Sequence, residues 1–332
     1  MVLVEHKVTF QIFTTIFPNF LHILLIGDSV DRNAVVDWCE AYQGDLYAVN
    51  FDNHIRSDMI SGRNSQFIFE FNTITKKNNI AVESLVCISS TFNYTVSFLF
   101  NKFGVFPQLW CTRQNHYNIA MGVDLLGSKA LTNAYFERPQ TYLHDNKIYD
   151  HQYFHSHVLF PAVDNLREVL NISTFNGVQL QSGLWDIAKY FKCYESLTPM
   201  PVFNDTVIEQ WPKLFELHQY KFLLSFKIYF LSLRSKVVPS LQYRTINFIN
   251  TQPNHVKKWY NKRGETILRK IRHISRKNAQ LLKLHLFDWY RFQGSNILAD
   301  GIHPQKESSI LIAQYIVNQT TRWHYSRNIS LA

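Results

Sequence analysis

The apolar positions fall into short continuous runs alternating with stretches at helical spacing. Leu21–Ile26 (LHILLI) is nearly continuous and ends at Gly27-Asp28-Ser29, the pattern of a strand covered on both faces. Asn33–Tyr42 then places its apolar residues at helical spacing. Residues 44–80 are polar and are expected to be irregular. Residues 81–106 hold two β-branched and aromatic runs (VESLVCI, YTVSFLF) that predict two strands. Residues 107–160 show weak periodicity, so 44–160 reads as an elaborated insertion. Alternation resumes with a helix at Val163–Leu170 and a strand at Gly177–Gln181 (GVQLQ), which runs into Ser182-Gly183-Leu184-Trp185-Asp186. A long helical region covers 207–235, and Arg244–Asn250 (RTINFIN) predicts a further strand. A basic helix follows, then a strand at Leu284–Trp289 (LHLFDW) and a helix at Ser308–Asn318. Strands alternating with helices in this order predict a three-layer α/β/α sandwich around a mainly parallel sheet. No repeat or linker interrupts it, so residues 1–332 are taken as a single domain.

Composition agrees with a packed α/β protein. Of 332 residues 46% are hydrophobic and 18% charged, with only 11 Gly and 10 Pro, which excludes disordered and collagen-like chains. The net charge of +9 invites a nucleic-acid reading until its location is considered. Between His255 and His285 lie Lys257, Lys258, Lys262, Arg263, Arg269, Lys270, Arg272, Arg276, Lys277 and Lys283, opposed only by Glu265. This one segment accounts for the whole excess. Ile267, Leu268, Ile271 and Ile274 give it an apolar stripe for packing on a sheet. No nucleic-acid recognition module accompanies it, so nucleic acid is not an expected partner. At most the basic helix 255–285 offers a contact for an anionic glycan or membrane surface.

Cys39, Cys87, Cys111 and Cys193 form no CxxC pair and are too scattered for a disulfide framework or zinc site, and their pairing stays open. Asp150, His151, His155 and His157 match no metal-ligand spacing and are taken as a polar loop. Lys221 and Lys227 interrupt the apolar run Leu214–Leu233, which reads as a buried or lid-like helix rather than a membrane span. Pro18, Asn19 and His22 likewise break the apolar stretch 8–26, which is taken as leading into the first strand rather than as a targeting segment. Asn-x-Ser/Thr sequons at Asn93, Asn171, Asn204, Asn318 and Asn328 point weakly toward a secreted or ER/Golgi-lumenal protein.

Two short motifs carry candidate chemistry. Gly27-Asp28-Ser29 sits where a buried strand meets a helix, at the carboxyl end of the sheet where open α/β folds bind ligands. There a helix N-terminus favours developing negative charge. The plain alternative for Ser29 is a helix N-cap. Asp300-Gly301-Ile302-His303-Pro304 lies between the last strand and the last helix. An aspartate three residues before a histidine can orient the imidazole while its other nitrogen takes a proton from a serine. Taken singly, His303 could be an ordinary turn histidine; the order and placement of both motifs argue for the pair.

Together these residues resemble the SGNH/GDSL hydrolase superfamily. The string Gly27-Asp28-Ser29-Val30-Asp31-Arg32-Asn33 is similar to the Gly-Asp-Ser-x-x-Arg-Asn signature of its PC-esterase branch, which includes polysaccharide O-acetyltransferases and esterases of the secretory pathway. The resemblance spans about residues 21–318. It implies Ser29 as nucleophile, His303 as general base and Asp300 as its orienting partner, with no metal or organic cofactor. Asp28 and Arg32 would arrange the site, Arg32 as an anion contact. The superfamily's Gly-x-Asn-Asp block corresponds to Gly183-Leu184-Trp185-Asp186, where Trp185 replaces the Asn that donates to the oxyanion. Loss of such a donor typically slows the reaction ~10²–10³-fold. Gly122 and Gly127 are candidates for the remaining oxyanion N–H. The expected function is a serine esterase or O-acyltransferase acting on acyl, above all acetyl, esters of carbohydrate. The alternative is an inactive binding protein that keeps the same fold.

Overall fold

The computed structural model describes residues 20–50, 56–59, 84–100, 105, 159–183, 186, 205–233, 235, 238–246, 262–289 and 303–330. Its strands are β1 (Leu21–Gly27), β2 (Asp45–Asn50), β3 (Arg56–Met59), β4 (Ser84–Ser89), β5 (Tyr94–Phe100), β6 (Gly177–Leu180), β7 (Ser240–Arg244) and β8 (His285–Phe287). Its helices are α1 (Ser29–Ala41), α2 (Phe160–Leu170), α3 (Asp205–Ser232), α4 (Lys262–Leu281) and α5 (Lys306–Ser330). Among the described residues one sheet holds all eight strands in the order β3-β2-β4-β5-β1-β6-β7-β8. From β5 to β8 every pair is parallel, whereas β4–β5, β2–β4 and β2–β3 are antiparallel.

β1 lies inside the parallel part, with Ile23, Leu24, Leu25 and Ile26 all fully buried. That explains its continuous apolar run: both faces of the strand are covered. Side-chain contacts separate the two covering layers. Gln179 and Arg244 reach α1, and Gly177 lies under Thr320 of α5. Tyr243, on the opposite face, reaches Gln219 of α3 and Ser275 of α4. Phe222, Phe226 and Phe230 at helical spacing bury one side of α3. Phe160 of α2 stacks on Tyr229 and meets Phe226 edge-on. The arrangement is the expected three-layer α/β/α sandwich.

Several expectations need correction. Two strands, β2 and β3, lie within the stretch 44–80 read as irregular, and with β4 they make that half of the sheet antiparallel. The strand expected at Arg244–Asn250 is instead Ser240–Arg244. Its sequence SLQYR hides the strand because it buries polar groups: Ser240, Gln242 and Arg244 are all solvent-inaccessible. α5 begins earlier and ends later than Ser308–Asn318. Cys39 and Cys87 form a disulfide that ties α1 to β4, although the cysteines suggested no framework. Three cations of the basic helix are engaged within the fold. Arg272 is buried with its Nε donating to the Ile246 carbonyl, Arg276 pairs with Asp288, and Lys277 with Glu216. No helix among the described residues is long and apolar enough to cross a membrane. The loop at 150–157, with its aspartate and histidines, lies outside the described residues.

Candidate active site

The site begins at the end of β1. Asp28, not Ser29, is the N-cap of α1. The Val30 N–H donates to Asp28 Oδ1 at 2.8 Å, and the Asp31 N–H also donates to the Asp28 side chain. In return Asp31 Oδ2 accepts from the Asp28 N–H at 3.3 Å, a reciprocal capping box. The Arg32 N–H is taken by the Asp28 carbonyl at 3.1 Å. Capping therefore accounts for Asp28 and leaves the Ser29 hydroxyl available at the first helical position. The capping alternative raised for Ser29 thus belongs to its neighbour.

That hydroxyl meets the second motif. Ser29 Oγ and His303 Nε2 are 2.7 Å apart, across 274 residues of sequence. Whether the nitrogen accepts or donates depends on the tautomer; only the form with Nε2 unprotonated accepts the serine proton. His303 precedes α5, and α1 and α5 pack side by side through Trp38, whose Nε1–H donates to Gln314 Oε1 at 3.0 Å. Two helices starting at the same end of the sheet thus bring both side chains together.

Beneath the serine lies a buried ionic network that the motifs did not announce. Arg244 of β7 donates from Nε to Asp31 Oδ1 and from Nη2 to Asp31 Oδ2, both at 2.8 Å. This two-point fork is the geometry that suits guanidinium to carboxylate. Gln179 Nε2–H donates to the same Oδ1 at 3.0 Å, and Gln242 Nε2–H donates to Gln179 Oε1 at 2.7 Å. Arg244 Nη2 lies 3.7 Å from Asp28 Oδ1, too far for a hydrogen bond. Burial works against the Arg244 charge, but the carboxylates of Asp31 and Asp28 outweigh it and hold its pKa above the ordinary value. Asp28 receives the weaker share of that cation. Burial, together with repulsion from Asp31, pushes its carboxyl up to about 6 against the pull of Arg244. Burial lowers the pKa of Arg32, opposed by the charge of Asp28.

Gly27 is required by this packing, since a Cβ there would lie 1.9 Å from Asp31 Oδ2. Gly183, just past β6, has φ +111°, a conformation that side chains disfavour, and a Cβ would meet Ile246 at 2.5 Å. A second polar cluster steadies this turn. Tyr243 OH donates to the Ser182 carbonyl at 3.1 Å, and Gln219 Nε2 lies 2.8 Å from both Tyr243 OH and Ser275 Oγ. Asp186 is buried and accepts the Val105 N–H at 2.9 and 3.1 Å, tying the segment after β6 to the one after β5.

The structure thus places Gly27, Asp28, Ser29 and His303 in one cluster, with Arg32 one turn into α1. Its guanidinium lies 3.4 Å from Asn33 Oδ1, a marginal contact. Gly183 and Asp186 stand at the end of the adjacent strand β6. Asp300, Trp185, Gly122 and Gly127 lie outside the described residues. Sequence reasoning missed Asp31, Arg244, Gln179 and Gln242. The available signal was Gln179, a glutamine among apolar residues in the strand expected at Gly177–Gln181; Gln242 lay outside the expected strands and gave none. Among the described residues no group of His, Cys, Asp and Glu could hold a metal ion.

No protein-family model matches the chain, and no curated protein matches it either. Solved structures similar to it include an aryl esterase from M. smegmatis, 12% identical, covering 91% of this chain and 99% of that one at a TM-score of 0.42. Another is a carbohydrate acetylesterase from Sinorhizobium meliloti, 11% identical, covering 91% of this chain and 99% of that one at a TM-score of 0.43.

Proposed function

We propose that this chain is a serine esterase or O-acyltransferase that acts on acyl esters, chiefly acetyl esters of carbohydrate. The observation that carries the reading is the 2.7 Å contact between Ser29 Oγ and His303 Nε2 at the carboxyl end of the parallel strands. In this mechanism Nε2 accepts the serine proton as Oγ attacks the ester carbonyl. The tetrahedral oxyanion forms at the N-terminus of α1. The cap occupies the N–H groups of Val30, Asp31 and Arg32 but not that of Ser29, which we assign as one oxyanion donor. Collapse of the intermediate breaks the ester C–O bond, and His303 returns its proton to the departing alkoxide. Water or a sugar hydroxyl then takes the acyl group from Ser29 by the same steps in reverse.

Asp300 is proposed to orient His303, Arg32 to contact an anionic group, and the Trp185 indole N–H to stand where the family carries its Asn donor. The carbohydrate preference rests on the Gly-Asp-Ser-x-x-Arg-Asn resemblance. The Cys39–Cys87 disulfide adds support for a secreted or ER/Golgi-lumenal protein, because such bonds persist in oxidising compartments.

The test is turnover of a small chromogenic acetate and of an O-acetylated polysaccharide by the folded protein. Replacement of His303 by Ala should lower kcat ~10²–10⁴-fold, the usual range for losing a general base. Turnover of both substrates unchanged in Ser29→Ala would exclude the proposed nucleophile. Acetyl transfer to an added glycan without free acetate would identify a transferase.

A further inference from the structure

The fold brings three of the five Asn-x-Ser/Thr sequons to one end of the sheet. Asn93 occupies the β4–β5 turn in a left-handed conformation (φ 58°), immediately before β5. Asn171 closes α2, also left-handed (φ 52°), and lies just upstream of β6. Both are exposed. Asn318 is exposed on α5, two residues before Thr320, which packs on Gly177, the first residue of β6. Thr321 Oγ1 lies 2.8 Å from the hydroxyl of Tyr94, the first residue of β5. All three asparagines therefore sit around the starts of β5 and β6, whereas Ser29 follows the far end of β1. The seven residues of β1 separate the two poles by about 23 Å at ~3.3 Å per residue.

A left-handed backbone explains asparagine at 93 and 171 without invoking modification. It does not explain the hydroxyl residue two positions later in each case. Thr95 Oγ1 lies 2.7 Å from His22 Nδ1 and Ser173 Oγ 3.2 Å from Ser235 Oγ, so those two hydroxyls also serve the fold. The Thr320 hydroxyl is buried and has no hydrogen-bond partner among the described residues, so folded-state bonding does not account for that one. Nor does it explain why three sequons converge on one pole while none among the described residues borders Ser29.

We propose that Asn93, Asn171 and Asn318 carry N-linked oligosaccharides, forming a glycosylated pole opposite Ser29 and His303. In the modification, Nδ2 of each asparagine bonds to the anomeric carbon of a lipid-pyrophosphate-linked oligosaccharide. The bond from that carbon to the phosphate oxygen breaks, the lipid pyrophosphate leaves, and the amide gives up one proton. Transfer occurs on the emerging chain, so the later burial of Thr95 and Thr320 is no obstacle. The folded protein needs only the asparagines exposed, as they are. A glycan at this pole leaves the approach to Ser29 uncovered. The proposal rests on the oxidising-compartment reading and not on the chemistry of Ser29.

The test uses the full chain isolated from its own cells and digested without reduction. Treatment with a glycan-releasing amidase in oxygen-18 water converts each glycosylated Asn to Asp bearing one heavy oxygen. The expected result is this mass shift in the peptides containing Asn93, Asn171 and Asn318, together with a bridged Cys39–Cys87 peptide. Unshifted asparagines beside an intact bridge would overturn the glycan proposal while sparing the compartment. Unshifted asparagines beside reduced cysteines would overturn both. Shifts confined to Asn204 or Asn328 would overturn the assignment to Asn93, Asn171 and Asn318.

Discussion

Arg244 holds Asp31, and Asp31 holds the turn that presents Ser29. Replacing Arg244 by Met removes two charge-assisted hydrogen bonds of 2.8 Å and leaves the Asp31 carboxylate buried without its cation. Both side chains are essentially inaccessible, at 2% and 1%, so water cannot take over. Removing one partner of a buried pair typically destabilises by about 3–5 kcal/mol, because the remaining charge is uncompensated. A domain with roughly 5–15 kcal/mol in hand would then lose a large fraction of its stability. Urea unfolding followed by tryptophan fluorescence measures the loss as a lowered midpoint at unchanged slope. The double variant Asp31→Asn/Arg244→Met removes both charges and should recover much of it. That recovery also keeps the reasoning testable if the single variant does not fold. A loss below about 1 kcal/mol in Arg244→Met, or no recovery in the double variant, would refute a desolvated, mutually dependent pair.

Gly27→Ala forces a methyl into the space of Asp31 Oδ2 and should destabilise by ~1–3 kcal/mol, read from the same urea midpoints. Replacing Cys39 and Cys87 by Ser opens a loop spanning 48 residues, for which chain entropy gives a loss of about 4 kcal/mol; calorimetric Tm values check it. Stability should also depend on pH in a way that distinguishes Asp28. Its carboxyl is raised from 3.8 to about 6, so its protonated form stabilises the fold below pH 3.8 and that contribution is lost as pH rises through about 6. Burial lowers the pKa of His22 and His218 from 6.5 to about 4, so their contributions are present above pH 6.5 and lost as pH falls through about 4. The two histidines outnumber Asp28, so these groups together make stability rise from pH 4 to 6.5. Asp28→Asn keeps the cap yet should steepen that rise; an unchanged slope would contradict the assignment.

The parts legible in the sequence were those whose burial is apolar. LHILLI announces β1 because Ile23, Leu24, Leu25 and Ile26 form a continuous run buried on both faces, and α2 likewise shows its buried apolar positions at helical spacing. Gly27-Asp28-Ser29 and His303 stood out because each falls where a regular element begins or ends. β7 is displaced toward Ser240 from the expected Arg244–Asn250 because the polar Ser240 and Gln242 look like surface residues until Gln179 and Asp31 are found facing Gln242 and Arg244. That facing relation joins residues 213 positions apart, and one-dimensional periodicity does not register it. The Cys39–Cys87 bridge was hidden for the same reason, since β2 and β4 had first to be paired. The clustering of sequons at one pole likewise depends on α5 running the full depth of the sheet.

The central claim is that Ser29, activated by His303, is a nucleophile toward acyl-type electrophiles. A fluorophosphonate probe tests it directly, because its reactive phosphorus is taken by an activated serine. Incubation of the folded protein, followed by intact and peptide mass spectrometry, should show one covalent adduct per chain on the peptide containing Ser29. The adduct should be absent from Ser29→Ala and form far more slowly in His303→Ala. A folded wild-type protein that remains unmodified, or one labelled at another residue, would contradict the account.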